Sequence, residues 1–393
     1  MKYVCVFASL ILVVLNFLTV SVYAENAETE KILNEYAEFY GDVFDDAAQG
    51  VDSSVSFTEI IPDFDSKSIL TDLNSGTLSV TPDNLLRYPI KLLLGEAYSC
   101  AKLLAIVLAL ALLSSYLSNL SSGVAKESVA YSAFFACYTA MAAITATAFY
   151  QIAGCATEAI KSVSVFMKLI VPSVMALMMS GGAVVSVASL QPTVIAIVEI
   201  AVWLGEVLFI PAVMISAALN IVNSMSDSFK TDKMVKLINN GVKWGFSAML
   251  IIFVGLSGIK SMAASGADGL AVKLSKFATS NMVPVVGGIL SESVETVMGC
   301  SVIIKNSVGI FGIICIVLAI IRPIIRICAT LIIFRLAAAV AEPISEERVT
   351  ACVTGLADSI SVLLSMVVAI SVMFIIVITI LLNAGSNAVI LGR

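Results

Sequence analysis

The chain has 393 residues, 59% of them hydrophobic and only 13% charged, with a mean hydropathy of +1.03. A soluble domain carries about 25% charged residues, so an ordinary water-soluble globule is excluded. The net charge of −6 is uneven: residues 25–90 hold 14 acidic side chains against Lys31, Lys67 and Arg87, while residues 91–393 hold 18 basic against 14 acidic ones. No basic cluster marks a nucleic-acid surface.

The first element, residues 1–24, reads as a signal peptide. Lys2 precedes an apolar core, Val4–Val20, and Val22-Tyr23-Ala24 supplies small residues at a cleavage position. Cleavage is expected after Ala24; the alternative is an uncleaved anchor. Residues 25–90 then form an acidic extracytoplasmic segment. Within it Ala27–Ala48 has helical spacing, with Ile32, Leu33, Tyr36, Phe39, Tyr40 and Phe44 three and four residues apart. Loops or short helices follow, around Pro62, Pro82 and Pro89.

From Lys91 the chain reads as membrane. Leu103–Ala125, Ser128–Thr157, Leu169–Val198, Val207–Ser226 and Ser359–Gly392 are free of charge, and each suffices for the roughly 20 residues that cross about 30 Å of hydrocarbon. Trp244–Ile259 and Asn306–Ile321 are shorter, with 16 uncharged residues each. Flanking lysines and arginines that snorkel to the interface would let these span too. The fold class is an all-α polytopic membrane protein of about six to eight transmembrane helices.

The membrane region divides into first transmembrane helices at 91–150 and two segments, 151–260 and 270–383, that read as copies of one unit. Pro172 to Pro284 and Pro211 to Pro323 are the same 112 residues apart, and such duplications are frequent in transport-type folds. Unrelated helices with prolines at their ends are the alternative. Before each of the first pair lies a weakly amphipathic stretch, Ile152–Lys168 and Leu270–Asn281, of a kind that can lie in the interface plane. The lysine-rich region Lys230–Lys243 and Arg322 with Arg326 should both be cytoplasmic. With the N-terminus outside, both demands hold only if an apolar segment re-enters.

Val283–Gly309 is the most unusual stretch, carrying a proline, four glycines, two carboxylates, a lysine and an asparagine between apolar flanks. Ionisable groups at membrane depth cost roughly 2.5–3.5 kcal/mol each on insertion scales, so they usually face a bundle interior or a pathway. The run is expected to be a re-entrant or broken element sheltered by other helices. Pathway or assembly candidates are Pro284, Gly287, Gly288, Glu292, Glu295, Lys305 and Asn306, with Glu295 and Lys305 as a mutual pair. Glu199 and Glu206, seven residues apart, would share one helix face; Arg335 and Asp358 complete the intramembrane set. Each of these could equally be a structural charge that fixes helix assembly.

Catalytic and metal chemistry find little here. The chain contains no histidine, which removes Ser-His-Asp and Cys-His nucleophile systems and His-ligated metals. No P-loop or nucleophile-elbow motif is present. The eight cysteines lie in the leader or in and beside apolar segments, without a Cys-x-x-Cys pair. They read as small apolar side chains. Neither an enzyme nor a cofactor is expected.

The pattern of Val283, Pro284, Val285, Val286, Gly287, Gly288, Leu290 and Ser291, then Thr296, Val297, Gly299 and Cys300, then Lys305, Asn306 and Gly309, resembles the stage III sporulation protein AE family of endospore-forming bacteria. The likeness covers about residues 91–393. It implies a permease-like subunit of a channel or secretion-like complex joining mother cell and forespore, in the mother-cell membrane around the forespore. Partners implied are ring-forming membrane subunits, a cytoplasmic ATPase and a forespore-side protein. The rivals are a stand-alone secondary transporter with carboxylate relays at Glu199, Glu206 and Glu295, and a non-conducting scaffold.

Overall fold

The computed structural model of the chain describes residues 82–121, 127–225, 231–282 and 287–392. The expected signal peptide and most of the acidic segment lie outside these. The described residues contain no strand. They form α1 (Pro82–Ser121), α2 (Glu127–Ser180), α3 (Val184–Trp203), a π-helical turn (Leu204–Phe209), α4 (Ile210–Met225), α5 (Asp232–Met282), α6 (Gly287–Ala341) and α7 (Glu347–Gly392). α1 starts inside the acidic segment, with Pro82 at a helix start that needs no N–H. Six spans are long and apolar enough to cross a membrane, with α3, the π turn and α4 counting as one. The protein is an all-α, multi-pass membrane protein.

α6 and α7 form the centre. On α7, Leu356, Ala357, Ile360, Leu363, Met366, Ile370, Phe374 and Ile378 are buried, and on α6 so are Phe311, Ile316 and Ile327. Helices apolar all round belong in the interior of a bundle or in lipid. α2, α3, α4 and α5 pack around this pair, and α1 covers α6 through Leu103, Leu104 and Val107 beside Ile333, Phe334 and Ala337. Between helices in lipid, close packing replaces the hydrophobic drive, so small residues set the approach. A Cβ on Gly312 of α6 would stand 2.8 Å from Ile170 Cδ1 of α2. Gly355 of α7 is likewise covered by the Asn220 amide of α4.

At 55 residues, α6 is about 80 Å long at 1.5 Å per residue, against about 30 Å of hydrocarbon. Rods of this length project beyond the layer or cross it at a steep tilt.

Three expectations are corrected. The described part of Val283–Gly309 is not broken: from Gly287 onward it is regular α-helix. Its lysine, Lys305, is met by a carbonyl of α7, so that charge does not require the backbone to open. The irregular turn falls instead at Leu204–Phe209, just before Pro211. A proline ring clashes with the carbonyl four residues back and lacks an N–H, and a π turn is a recurrent accommodation of such a lesion. Gly205 in that turn sits 3.2 Å, by its Cβ position, from Ile160 Cδ1, and Phe209 packs on Gly245 of α5.

The charge-free run Leu169–Val198 is not one span either. It reverses at Gly181-Gly182, where Gly182 adopts φ +85°, a conformation that costs other residues about 1–2 kcal/mol. Finally, Ile152–Lys168 is not a separate interfacial helix. It is a middle section of α2, with Ile152, Ala156, Ile160, Val163 and Met167 all buried against the bundle. In Leu270–Asn281, by contrast, Leu270, Leu274 and Phe277 do face outward.

Candidate functional site

The densest buried polar arrangement lies where the α2–α3 turn meets α5, α6 and α7. α2 closes with Gly182 N–H donating to Met179 O (3.0 Å) and Ala183 N–H to Met178 O (2.9 Å). A side chain on Gly182 would overlap Met298 of α6 and crowd Val272 of α5 at 3.2 Å. The turn is therefore wedged between those two helices.

Past the turn, α3 must begin without a side-chain cap of its own, because Ala183 occupies the N-cap position. The first N–H groups of a helix are orphan donors. Asp268 of α5 meets them: Val185 N–H donates to Oδ1 at 2.7 Å and Ser186 N–H to Oδ2 at 2.9 Å. Asp268 is fully buried. A carboxylate at a helix N-terminus gains both charge-assisted hydrogen bonds and the favourable end of the helix dipole. One charge on one helix thus sets the starting point of another.

Lys305 of α6 is fully buried as well, and its Nζ donates to the Leu382 carbonyl of α7 at 2.6 Å. From the other side Ser265 of α5, one turn before Asp268, donates to Ala384 O at 3.3 Å and to Ser261 O at 2.8 Å. The Leu382–Ala384 turn of α7 is clasped by α5 and α6 together. Leu382 can lie over α6 because Gly309 has no side chain there. Lower on α5, Lys260 Nζ donates to Thr193 Oγ1 of α3 at 2.6 Å.

A second polar group stands on the outer face of the hairpin. Lys168 meets Glu199 at 2.9 Å and Lys161 meets Glu206 at 4.0 Å. Arg335 and Asp358 form a third pair at 2.6 Å, half exposed, linking α6 to α7.

The candidate residues therefore separate. Lys305 belongs to the buried junction, with half-buried Asn306 beside it on α6. Gly287 and Gly288 open α6, and Glu292 and Glu295 lie in its helical backbone; their side chains and Pro284 lie outside the description. The expected Glu295–Lys305 pair is corrected: ten residues of continuous helix separate them by about 15 Å. Glu199 and Glu206 both meet lysines of α2, Glu199 on the exposed side of the hairpin and Glu206 partly buried. Sequence reasoning missed Asp268, Lys260 and Ser265. A lone carboxylate at Asp268 between Lys260 and Lys273, opposite an uncapped helix start after Gly181-Gly182, is the signal that could have revealed the first.

Charges shared helix to helix within long apolar rods define a polytopic membrane bundle whose polar groups knit its spans together. Residues 64–385 match the family model for stage III sporulation protein AE, and the chain belongs to the stage III sporulation protein AE family. It is similar to the stage III sporulation protein AE of Bacillus subtilis (strain 168), with 26% identity over 363 residues, 92% of this chain and 87% of that protein. No solved structure matches.

Proposed function

We propose that this protein is a non-enzymatic, membrane-embedded subunit of a channel or secretion-like complex between mother cell and forespore, acting as its permease-like core. One observation carries the choice over a stand-alone transporter. Two of the three carboxylates such a transporter would use as relays, exposed Glu199 and partly buried Glu206, are paired with lysines of α2 on the hairpin. An ion relay needs carboxylates that line an internal path. Charges on an outer face suit contact with another protein.

In the same reading the chain lies in the mother-cell membrane around the forespore, with its N-terminal segment extracytoplasmic. It works there with ring-forming membrane subunits, an ATPase on the cytoplasmic side and a forespore-side partner. Residues 151–260 and 270–383 are two diverged copies of one unit. In support, the rod Val184–Met225 is followed by α5 as α6 is followed by α7.

The test is reconstitution of the purified chain in liposomes without partners. No gradient-driven solute uptake is expected; uptake by the chain alone would overturn the subunit reading.

A further inference from the structure

The outer face of the α2–α3 hairpin has an unusual symmetry. Lys161 and Lys168 are seven residues apart on α2, and Glu199 and Glu206 are seven apart across α3 and the π turn. Because the helices run antiparallel, Lys168 is level with Glu199 and Lys161 with Glu206. Seven residues is close to two turns, so each pair forms a stripe. Within the stripes lie Val165 and Trp203, 39% and 59% exposed. The lysines are 60% and 53% exposed, Glu199 57% and Glu206, at the inner edge of the stripe, 26%, while Ile160, Val163 and Met167 on the other side of α2 are core.

Wherever this surface meets hydrocarbon it is a poor neighbour for it, since a charge near the bilayer centre costs roughly 2.5–3.5 kcal/mol. An exposed aromatic side chain ringed by charged groups has the composition of an interface centre. The arrangement also says which partner fits. Copies of one chain share one orientation in a membrane, so a two-fold axis relating them runs along the membrane normal. Rotation about that axis keeps every residue at its height and exchanges left with right. When two copies meet through this face, α2 of each lies over α3 of the other. Lys168 then meets Glu199 of the second copy, Lys161 meets its Glu206, and Trp203 meets its Val165. Every contact occurs twice, as an isologous interface requires. The face is complementary to itself.

We propose that the Lys161–Val165–Lys168 and Glu199–Trp203–Glu206 stripes form a homodimer interface within the membrane, in which each ion pair is shared between two copies. Opposed like charges would cost several kcal/mol, so the charge pattern also fixes which surfaces pair.

Two differently tagged copies, co-expressed and purified in lipid nanodiscs, test this. Wild-type copies are expected to co-purify. K161E/K168E makes the face wholly acidic and E199K/E206K makes it wholly basic; either alone should lose self-association about ten-fold or more. Co-expressed with each other, they should recover it, because acid then meets base at every position. Trp203→Ala leaves all four charges and both intrachain pairs in place, and should also weaken association. A monomeric wild type, a charge variant that self-associates normally, a mixture that fails to recover, or Trp203→Ala copies that associate like wild type would each overturn the proposal.

Discussion

Asp268 and Val185 are 83 residues apart in sequence and joined by a 2.7 Å hydrogen bond, the Val185 N–H donating to the buried carboxylate. Ser186 completes a two-oxygen cap on α3. Removing a cap typically costs 0.5–2 kcal/mol, and leaving a buried donor unmet adds about 1–3 kcal/mol. Asp268→Ala should therefore destabilise the bundle by about 2 kcal/mol or more, while Asp268→Asn, which keeps one acceptor, should lose less. Chemical unfolding in detergent micelles checks the order; equal losses for both variants would contradict a capping role.

Gly182 should tolerate no side chain. Its φ of +85° and its contact with Met298 make Gly182→Ala unfavourable twice, by about 1–2 kcal/mol for the backbone alone. Met298→Ala should relieve the steric part only. A double-mutant cycle is expected to show coupling of about 0.5 kcal/mol or more; additivity would mean that the turn is not wedged as described.

Lys305 and the Arg335–Asp358 pair have equally short contacts, 2.6 Å in each case, yet should differ in effect. Lys305 is fully buried, and a hydrogen bond to a charged group contributes about 1.5–3 kcal/mol. Lys305→Met should lose that much, since methionine fills the space without the bond. Arg335 and Asp358 are half exposed, where ion pairs contribute about 0–1 kcal/mol. R335Q/D358N should stay within that range. Melting curves of the two variants, measured side by side, decide whether burial or distance sets the strength.

Pro211 lies just past the π turn, whereas Pro172, Pro192 and Pro323 sit in regular helix, so its replacement tests whether the ring sets the turn. Pro211→Ala removes the clash with the Val207 carbonyl and restores an N–H, so the turn should shift toward regular α-helix and rotate Glu206 relative to Lys161. Crosslinking of Glu206→Cys with Lys161→Cys in a cysteine-free background is expected to slow in the Pro211→Ala protein. An unchanged rate would mean that something other than the proline holds the turn open.

Much of the fold could be read from the residues. Charge-free runs marked most of the membrane region because lipid admits little else, whereas the amphipathic spacing of Ile152, Ala156, Ile160, Val163 and Met167 suggested an interfacial helix and is in fact the bundle-facing stripe of a long one. Two features could not be read. A glycine pair inside an apolar run is compatible with either a continuous helix or a reversal; Asp268, from a distant helix, decides it at Gly181-Gly182. Polar residues between Gly287 and Gly309 suggested a broken backbone, but Lys305 is satisfied by a carbonyl of α7, and tertiary contacts of that kind leave no local trace. For the site, Lys305, Glu199 and Glu206 were recognisable as intramembrane charges, whereas their partners Leu382, Lys168 and Lys161 depend on helix register.

The central claim is that the charges of the hairpin face a protein neighbour and not an internal conducting path. Its most direct test is proton flux in liposomes holding the purified chain and a trapped pH dye, under an imposed proton gradient. The account predicts that the gradient decays at the rate of protein-free liposomes. Faster decay that Glu199→Gln or Glu206→Gln abolishes would contradict it.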